Sequence, residues 1–235
     1  MTYRFLERNK ALSFATFSSL LRTTAKYELP TVQSRLLEVV RDAYPEAFEG
    51  LASAKPLGEN VFSGPAPHPN AVLNLFVQQK LRTALPMAYY MAARRGLDSL
   101  MDTSLPRSAM LSPEILQSAI RGLMKLRDME REETYRLIFG PKDTFPCSAP
   151  TCPSYNPIGV SALQAYQKIF DHVVGCSQMG TKMLQIPEFY EDCGGGPQCV
   201  SPSICCSCVE RWELGHAELR KKAWAKLPDF FGLKD

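Results

Sequence analysis

The cysteines are the residues of this sequence whose types and spacing could support chemistry. All eight lie between Cys147 and Cys208. Cys205 and Cys208 form a C-x-x-C pair at the start of a predicted last helix, and thiolates at this spacing can bind one metal ion because the turn points both sulfurs the same way. Cys147 and Cys152, spaced C-x4-C, would complete a tetrahedral set. The sequence therefore predicts a structural zinc site of four thiolates, which leaves no open position for water and hence no catalysis.

A second ligand set stays open. Cys193 and Cys199 could replace the C-x4-C pair, but the three glycines between them make this loop costly to order, so we favour the first set. Cys176 and Cys206 are then spare thiols. Disulfides would require an oxidising compartment, and the remaining interpretation is a set of thiols that bind nothing.

Thiol catalysis is a further interpretation of the same region. It would require a reactive cysteine beside a base, and His172 and Cys176 form the only such pair that is close along the chain. No third group that would orient the histidine is evident. No βαβ pattern of the kind that a thioredoxin-like site needs surrounds Cys205 and Cys208. The sequence therefore predicts a protein that is not an enzyme.

Composition excludes several classes of protein. The 235 residues are 45% hydrophobic and 22% charged, which is typical of a globular chain long enough to bury a sizeable core. A net charge of +3 is too small to indicate nucleic acid as a partner. The first ten residues lack the apolar core of a secretory signal, and no stretch is apolar enough to span a membrane. We therefore expect an intracellular protein, cytoplasmic or nuclear, with no membrane partner.

Apolar residues recur at helical spacing along most of the chain, which predicts an all-α fold, either a helical bundle or an array. Ser13 is a candidate N-cap for a first helix. Its apolar face would carry Phe14, Phe17, Leu20, Leu21, Ala25 and Tyr27. A second helix should begin at Pro30 and end before Pro45, because proline fits the first helical turn but cannot continue a helix.

Further helices are predicted downstream. Asn70 is a candidate N-cap for the third, and His68 just before it is expected to be an exposed loop histidine. Ser112 and Pro113 predict the start of a long helix that extends to Phe139, whose run of mixed charges at 125–133 is expected to face solvent. Another helix is predicted over 159–174. The last is predicted over 205–227, with Trp212, Trp224 and the apolar tail after it packed on the helical body.

Several short motifs, in order along the chain, carry a family resemblance. Residues 20–30 read LLRTTAKYELP and resemble the "LLRLxxKYxxxxL" helix pair that follows the strand core of BTB/POZ domains in a family of mushroom-forming fungi. AYP at 43–45, VLNL at 72–75 and LPMAYY at 85–90 resemble later segments of that family. LSPE at 111–114, RG at 121–122, the cysteine pairs and WAKLPDFFGL at 224–233 also fit. The likeness covers nearly the whole chain.

The resemblance implies a domain organisation. Residues 1–50 would be the late helices of a BTB-like domain without its strand core, and a truncated gene product is one explanation. Residues 51–70 would be a linker rich in proline and glycine, 71–140 a helical region, and 141–235 a cysteine-rich lobe with the C-terminal helix. Because the strand core supplies the usual dimer interface of the family, neither BTB-type homodimerisation nor cullin-ligase adaptor activity is expected.

These observations predict a non-enzymatic protein-protein interaction or scaffold protein, with zinc as a structural cofactor and a protein partner that the sequence does not identify. The alternative is a zinc-stabilised module that binds nucleic acid. Its phosphate contacts would come from five basic residues near the C-terminus, Arg211, Arg220, Lys221, Lys222 and Lys226. Three glutamates interleave with them and argue against an uninterrupted basic face.

Overall fold

The computed structural model describes residues 12–51, 62–139 and 206–233. These residues form seven α-helices and two 3-10 turns, at Phe48–Leu51 and Arg107–Ala109. The helices are α1 (Phe14–Lys26), α2 (Pro30–Ala43), α3 (Pro69–Gln78), α4 (Leu85–Ala93), α5 (Leu97–Leu100), α6 (Pro113–Phe139) and α7 (Cys206–Phe230). The only β pairing in the described ranges is an isolated bridge between Leu12 and Phe62. The predicted all-α class is confirmed for this part of the chain.

The chain divides into two compact units. Unit 1 comprises Met1–Leu123 and Leu227–Asp235, and unit 2 comprises Met124–Lys226. The predicted helix over 159–174 lies outside the described residues, as does most of the predicted cysteine-rich lobe.

Helix α1 of unit 1 begins as the sequence predicts. The Ser13 hydroxyl accepts a hydrogen bond from the Thr16 amide at 3.1 Å, which satisfies an amide that has no partner within the helix. The predicted face is buried at Phe17 and Leu21 but not at its C-terminal end, because Ala25 is exposed and Tyr27 is 63% exposed. Thr24 occupies the buried position instead, and its hydroxyl donates to the Leu21 carbonyl at 3.1 Å. A buried threonine is tolerated there because this bond satisfies its polar group.

Helix α2 begins at Pro30, and Tyr44 follows its last residue, as predicted. The Tyr44 ring is buried and makes an edge-on contact with Phe76 of α3, with ring centroids 4.8 Å apart. Burial raises the pKa of the Tyr44 hydroxyl, which has no hydrogen-bond partner among the described residues. Tyr44 therefore contributes mainly through its ring, because the uncompensated hydroxyl costs free energy.

The predicted cap of α3 is wrong by two positions. His68, not Asn70, is the N-cap, and its Nδ1 accepts a hydrogen bond from the Asn70 amide at 3.3 Å. Pro69 is the first residue of the helix, a position that proline favours, so the cap must be the residue before it. His68 is therefore half-buried rather than an exposed loop residue, and burial lowers its pKa. Asn70 is buried and donates its side-chain amide to the Ser99 carbonyl at 3.3 Å.

Phe62, in the segment predicted as a linker, belongs to the core. Phe62 is buried, and its ring lies edge-on to both Phe14 and Phe17 of α1, with centroids 5.4 and 5.3 Å away. The Ser63 amide donates to the Leu12 carbonyl at 2.9 Å. Phe62 thereby packs this part of the chain against α1.

Helix α6 has the predicted bounds and a predicted cap. The Ser112 hydroxyl accepts from the Ile115 amide at 3.5 Å, and the 27 residues of the helix correspond to a length of about 40 Å. One residue of the charged run at 125–133 is buried, although the sequence predicts that this run faces solvent. Glu130, in unit 2, is only 7% exposed, whereas Asp128 and Arg131 beside it are exposed and form an ion pair at 3.2 Å.

Helix α7 extends beyond its predicted end. It continues through Pro228 and ends at Phe230, and Gly232 beyond it has a positive φ of 70°, which is typical of the residue that follows a helix. The Leu233 amide donates to the Pro228 carbonyl at 2.8 Å, and the Gly232 amide donates to the Asp229 carbonyl at 3.3 Å. This Schellman pattern satisfies carbonyls that the helix leaves unpaired.

The apolar tail packs on unit 1, as predicted. Phe231 is fully buried and stacks on Tyr89 of α4, with ring centroids 5.1 Å apart and planes 22° apart. Its ring also lies directly against Gly122 of α6. In unit 2, α7 buries Leu219 and Ala223, while Trp224 is half-buried. The side chain of Trp212 lies outside the described residues.

Candidate functional site

An open groove of about 610 Å³ lies on unit 1 between α1, α3 and residues 107–115. Helix α1 contributes one side through residues that recur every four positions, Phe14, Ala15, Ser18, Ser19 and Arg22. This spacing places them on one helical face, separate from the face that buries Phe17 and Leu21. From Phe14 to Arg22 this side extends about 12 Å along the helix.

Helix α3 forms the base of the groove through Ala71, Asn74, Leu75 and Gln78. The third side consists of Arg107, Ser108, Met110, Ser112 and Ile115, which belong to the 3-10 turn, the residues that follow it and the start of α6. The groove is thus built from three segments that are distant in sequence.

Asn74 holds the third side against the base. Its side-chain amide donates to the Ser108 carbonyl at 3.0 Å and to the Met110 carbonyl at 2.8 Å. Across the groove, the Arg22 guanidinium donates to the Gln78 side-chain carbonyl at 3.2 Å, which links α1 to α3. These bonds bridge all three segments, so the groove is organised before any partner binds.

The charged residues of the groove lining are all positive. Two of its fourteen residues, Arg22 and Arg107, are cationic, and none is acidic. Arg107 is exposed, and its side chain makes no ion pair with any described residue. Glu114 is not a lining residue, but its carboxylate accepts a hydrogen bond from the hydroxyl of Ser112, which is one. This bond holds the pKa of the fully exposed Glu114 carboxyl below its usual value.

The lining presents polar groups to a partner. It contains serine hydroxyls, two side-chain amides and two guanidinium groups. The groove offers hydrogen-bond donors, apolar contacts from Phe14, Met110 and Ile115, and positive charge.

The structure describes little of the predicted zinc site. Cys147, Cys152 and Cys205 lie outside the described residues, as do Cys193 and Cys199. The backbone at Cys208 lies in the first turn of α7, which begins at Cys206, and its side chain lies outside the described part. Cys208 therefore lies at a helix start, where amides without intrahelical partners can donate to thiolates. Within the described ranges, no three His, Cys, Asp or Glu residues cluster as metal ligands.

The basic residues proposed to contact phosphates are partly paired. Lys221 lies 3.2 Å from Glu218, and Lys222 lies 3.9 Å from Glu133. Arg220 is half-buried, and its Nε is one of the buried polar atoms with no partner in the described structure. The side chain of Arg211 is outside the described residues. The pairing reduces the positive charge that α7 offers to an anionic polymer.

Comparison with known proteins gives no relative. No protein-family model matches the chain, and no curated protein or solved structure shows significant similarity to it. Among the described residues, no helix is both long enough and apolar enough to cross a membrane.

Sequence reasoning did not find the groove. Arg22 and Arg107 are separated by 84 residues and look like ordinary surface cations, because no local pattern places them on one site. Asn74 provides one signal, because its polar side chain stands within the apolar run from Val72 to Phe76. A polar side chain in such a run needs a hydrogen-bond partner, which predicts a contact to another segment.

Proposed function

We propose that this chain is a non-enzymatic protein-interaction or scaffold protein that binds its partner in the groove of unit 1. The observation that carries this proposal is the arrangement of the groove, in which hydrogen bonds from Asn74 and Arg22 fix three segments around an accessible volume.

The composition of the lining supports a protein partner. Apolar side chains alternate with hydroxyl, amide and guanidinium groups, as in the surfaces that bind peptide segments. Arginine strengthens binding at interfaces of this kind, because it is enriched at the contacts that contribute most to affinity. The order of the sequence motifs supports a place for the chain in the BTB/POZ-domain family, as a region that follows the strand core.

A steric test of the groove uses Ser19, an exposed lining residue of α1. Ser19→Trp should fill the groove without disturbing the core and should abolish partner binding. Thr23→Trp is the matched control, because Thr23 is exposed on the same helix but does not line the groove. The measurement is quantitative mass spectrometry of the proteins retained on immobilised wild type and both variants. If every specifically retained protein also binds Ser19→Trp, partner binding does not use the groove.

We also propose that Cys147, Cys152, Cys205 and Cys208 bind one structural zinc ion. The start of α7 at Cys206 supports this, because the first helical turn offers free amides to the thiolates of the C-x-x-C pair. The ion would link the segment that holds the C-x4-C pair to the last helix.

Metal analysis tests the zinc proposal. Protein purified without chelators should contain about one zinc per chain, as expected for a single tetrahedral site. The double variant Cys205→Ser with Cys208→Ser should lose it, whereas the control Cys176→Ser with Cys206→Ser should retain it. Changing Cys193 and Cys199 to serine separates the two ligand sets, since loss of zinc in that variant would transfer the ligand role to them. Protein without zinc would contradict the proposal.

A further inference from the structure

We propose that the groove binds an acidic peptide segment, one that carries carboxylate side chains next to apolar ones. This inference rests on the proposed function and specifies the chemistry of the partner. Its basis is charge complementarity, because Arg22 and Arg107 contribute positive charge and no lining residue contributes negative charge.

The two arginines are available to a partner. Both are exposed, and the guanidinium of Arg107 has no ion pair in the described part of the chain. Arg22 uses one Nη2 donor on Gln78, and a guanidinium has five N–H donors in total. Because Gln78 is neutral, the charge of Arg22 is not compensated by this contact. The planar donor pattern of arginine matches a carboxylate in two parallel hydrogen bonds.

The size of the groove fits a short peptide. Its α1 side extends about 12 Å, which corresponds to about four residues of extended chain. Phe14, Met110 and Ile115 supply apolar contacts beside the charged groups, and Met110 is exposed although it is apolar. A peptide with one or two acidic residues among apolar ones would satisfy both kinds of surface.

A nucleic acid would fit the groove less well. Nucleic-acid sites follow a phosphate backbone with many cations, whereas this lining has two cations. It also lacks tryptophan and tyrosine, and its one aromatic residue, Phe14, packs edge-on to Phe62. We therefore assign the positive charge to recognition of carboxylates.

The test is selection of a displayed library of random eight-residue peptides on the immobilised full chain. We expect the enriched peptides to contain more Asp and Glu than the unselected library. Their affinity for Arg22→Glu with Arg107→Glu should fall by about tenfold or more, since hydrogen bonds to charged groups contribute strongly to binding. The control is Arg35→Glu with Arg41→Glu, which changes net charge equally at exposed residues of α2 outside the groove. Thermal unfolding of both variants confirms that they fold.

The outcomes separate this inference from the proposed function. Peptides that require the groove, as judged by loss of binding to Ser19→Trp, but show no excess of acidic residues would overturn the acidic specificity and leave the groove as a binding site. Acidic peptides that bind both double variants equally would overturn the roles of Arg22 and Arg107. A selection that yields no peptide dependent on the groove would overturn the proposed function and this inference together.

Discussion

Replacing Phe231 by alanine is expected to lower the free energy of unfolding by about 3–5 kcal/mol, the usual cost of truncating a buried phenylalanine. Phe231 is 0% exposed, stacks on Tyr89 at 5.1 Å between centroids and lies against Gly122. The cavity left behind would lie between α4 and α6, whose backbones can move together only in part. Chemical denaturation followed by circular dichroism at 222 nm measures the change.

Phe230 provides the matched control for this prediction. It is the preceding residue, has the same side chain and is only half-buried. Phe230→Ala should therefore lower the free energy of unfolding by less than Phe231→Ala does, because less apolar area returns to water. Equal losses in the two variants would show that the contact with Tyr89 and Gly122 does not anchor the tail.

Gly122→Ala is expected to destabilise the protein by about 1–3 kcal/mol, the range for overpacking a filled core. Helix propensity alone predicts that the substitution stabilises the protein, because alanine is more favourable than glycine inside a helix by about 1 kcal/mol. Packing outweighs this preference here. A Cβ at Gly122 would overlap the Phe231 ring, and that ring is fully buried against Tyr89 and cannot move aside without cost.

A double-mutant cycle measures this overlap directly. Gly122→Ala should become neutral or stabilising when combined with Phe231→Leu, because the smaller side chain leaves room for the methyl group. The coupling energy between the two sites should then be at least about 1 kcal/mol, as is typical of residues in contact. Additive effects of the two substitutions would mean that the Phe231 ring does not lie against Gly122.

The local features of the helices were predictable from sequence because they depend on neighbouring residues. Ser13 and Ser112 cap helices through amides three residues away, and Pro30 fits a first turn wherever the rest of the chain lies. Prediction failed where two local signals competed. Asn70 is a good capping residue, but Pro69 already takes the first helical position, which makes His68 the cap and leaves Asn70 to bond to Ser99.

Burial was predicted less well than helical structure. The periodicity of α1 gave the correct central residues, Phe17 and Leu21, but not Thr24, whose hydroxyl bonds to the backbone of its own helix. Glu130 likewise stands in a charged run and is nevertheless buried. Polar residues become part of a core when their polar atoms find partners, and a hydrophobicity pattern does not contain those partners.

The sequence by itself determined the helical class, most helix starts and the cysteine spacing that predicts zinc, because each depends on residues within a few positions of one another. Only the tertiary structure decided where the candidate site lies. Arg22, Asn74 and Arg107 come from three segments, and the hydrogen bonds of Asn74 and Arg22 bring those segments together. The same is true of Gly122, which appears in sequence as a helix-weakening residue and in the fold as the surface against which Phe231 packs. Contacts between distant segments create both features, and local patterns in the chain do not specify which segments meet.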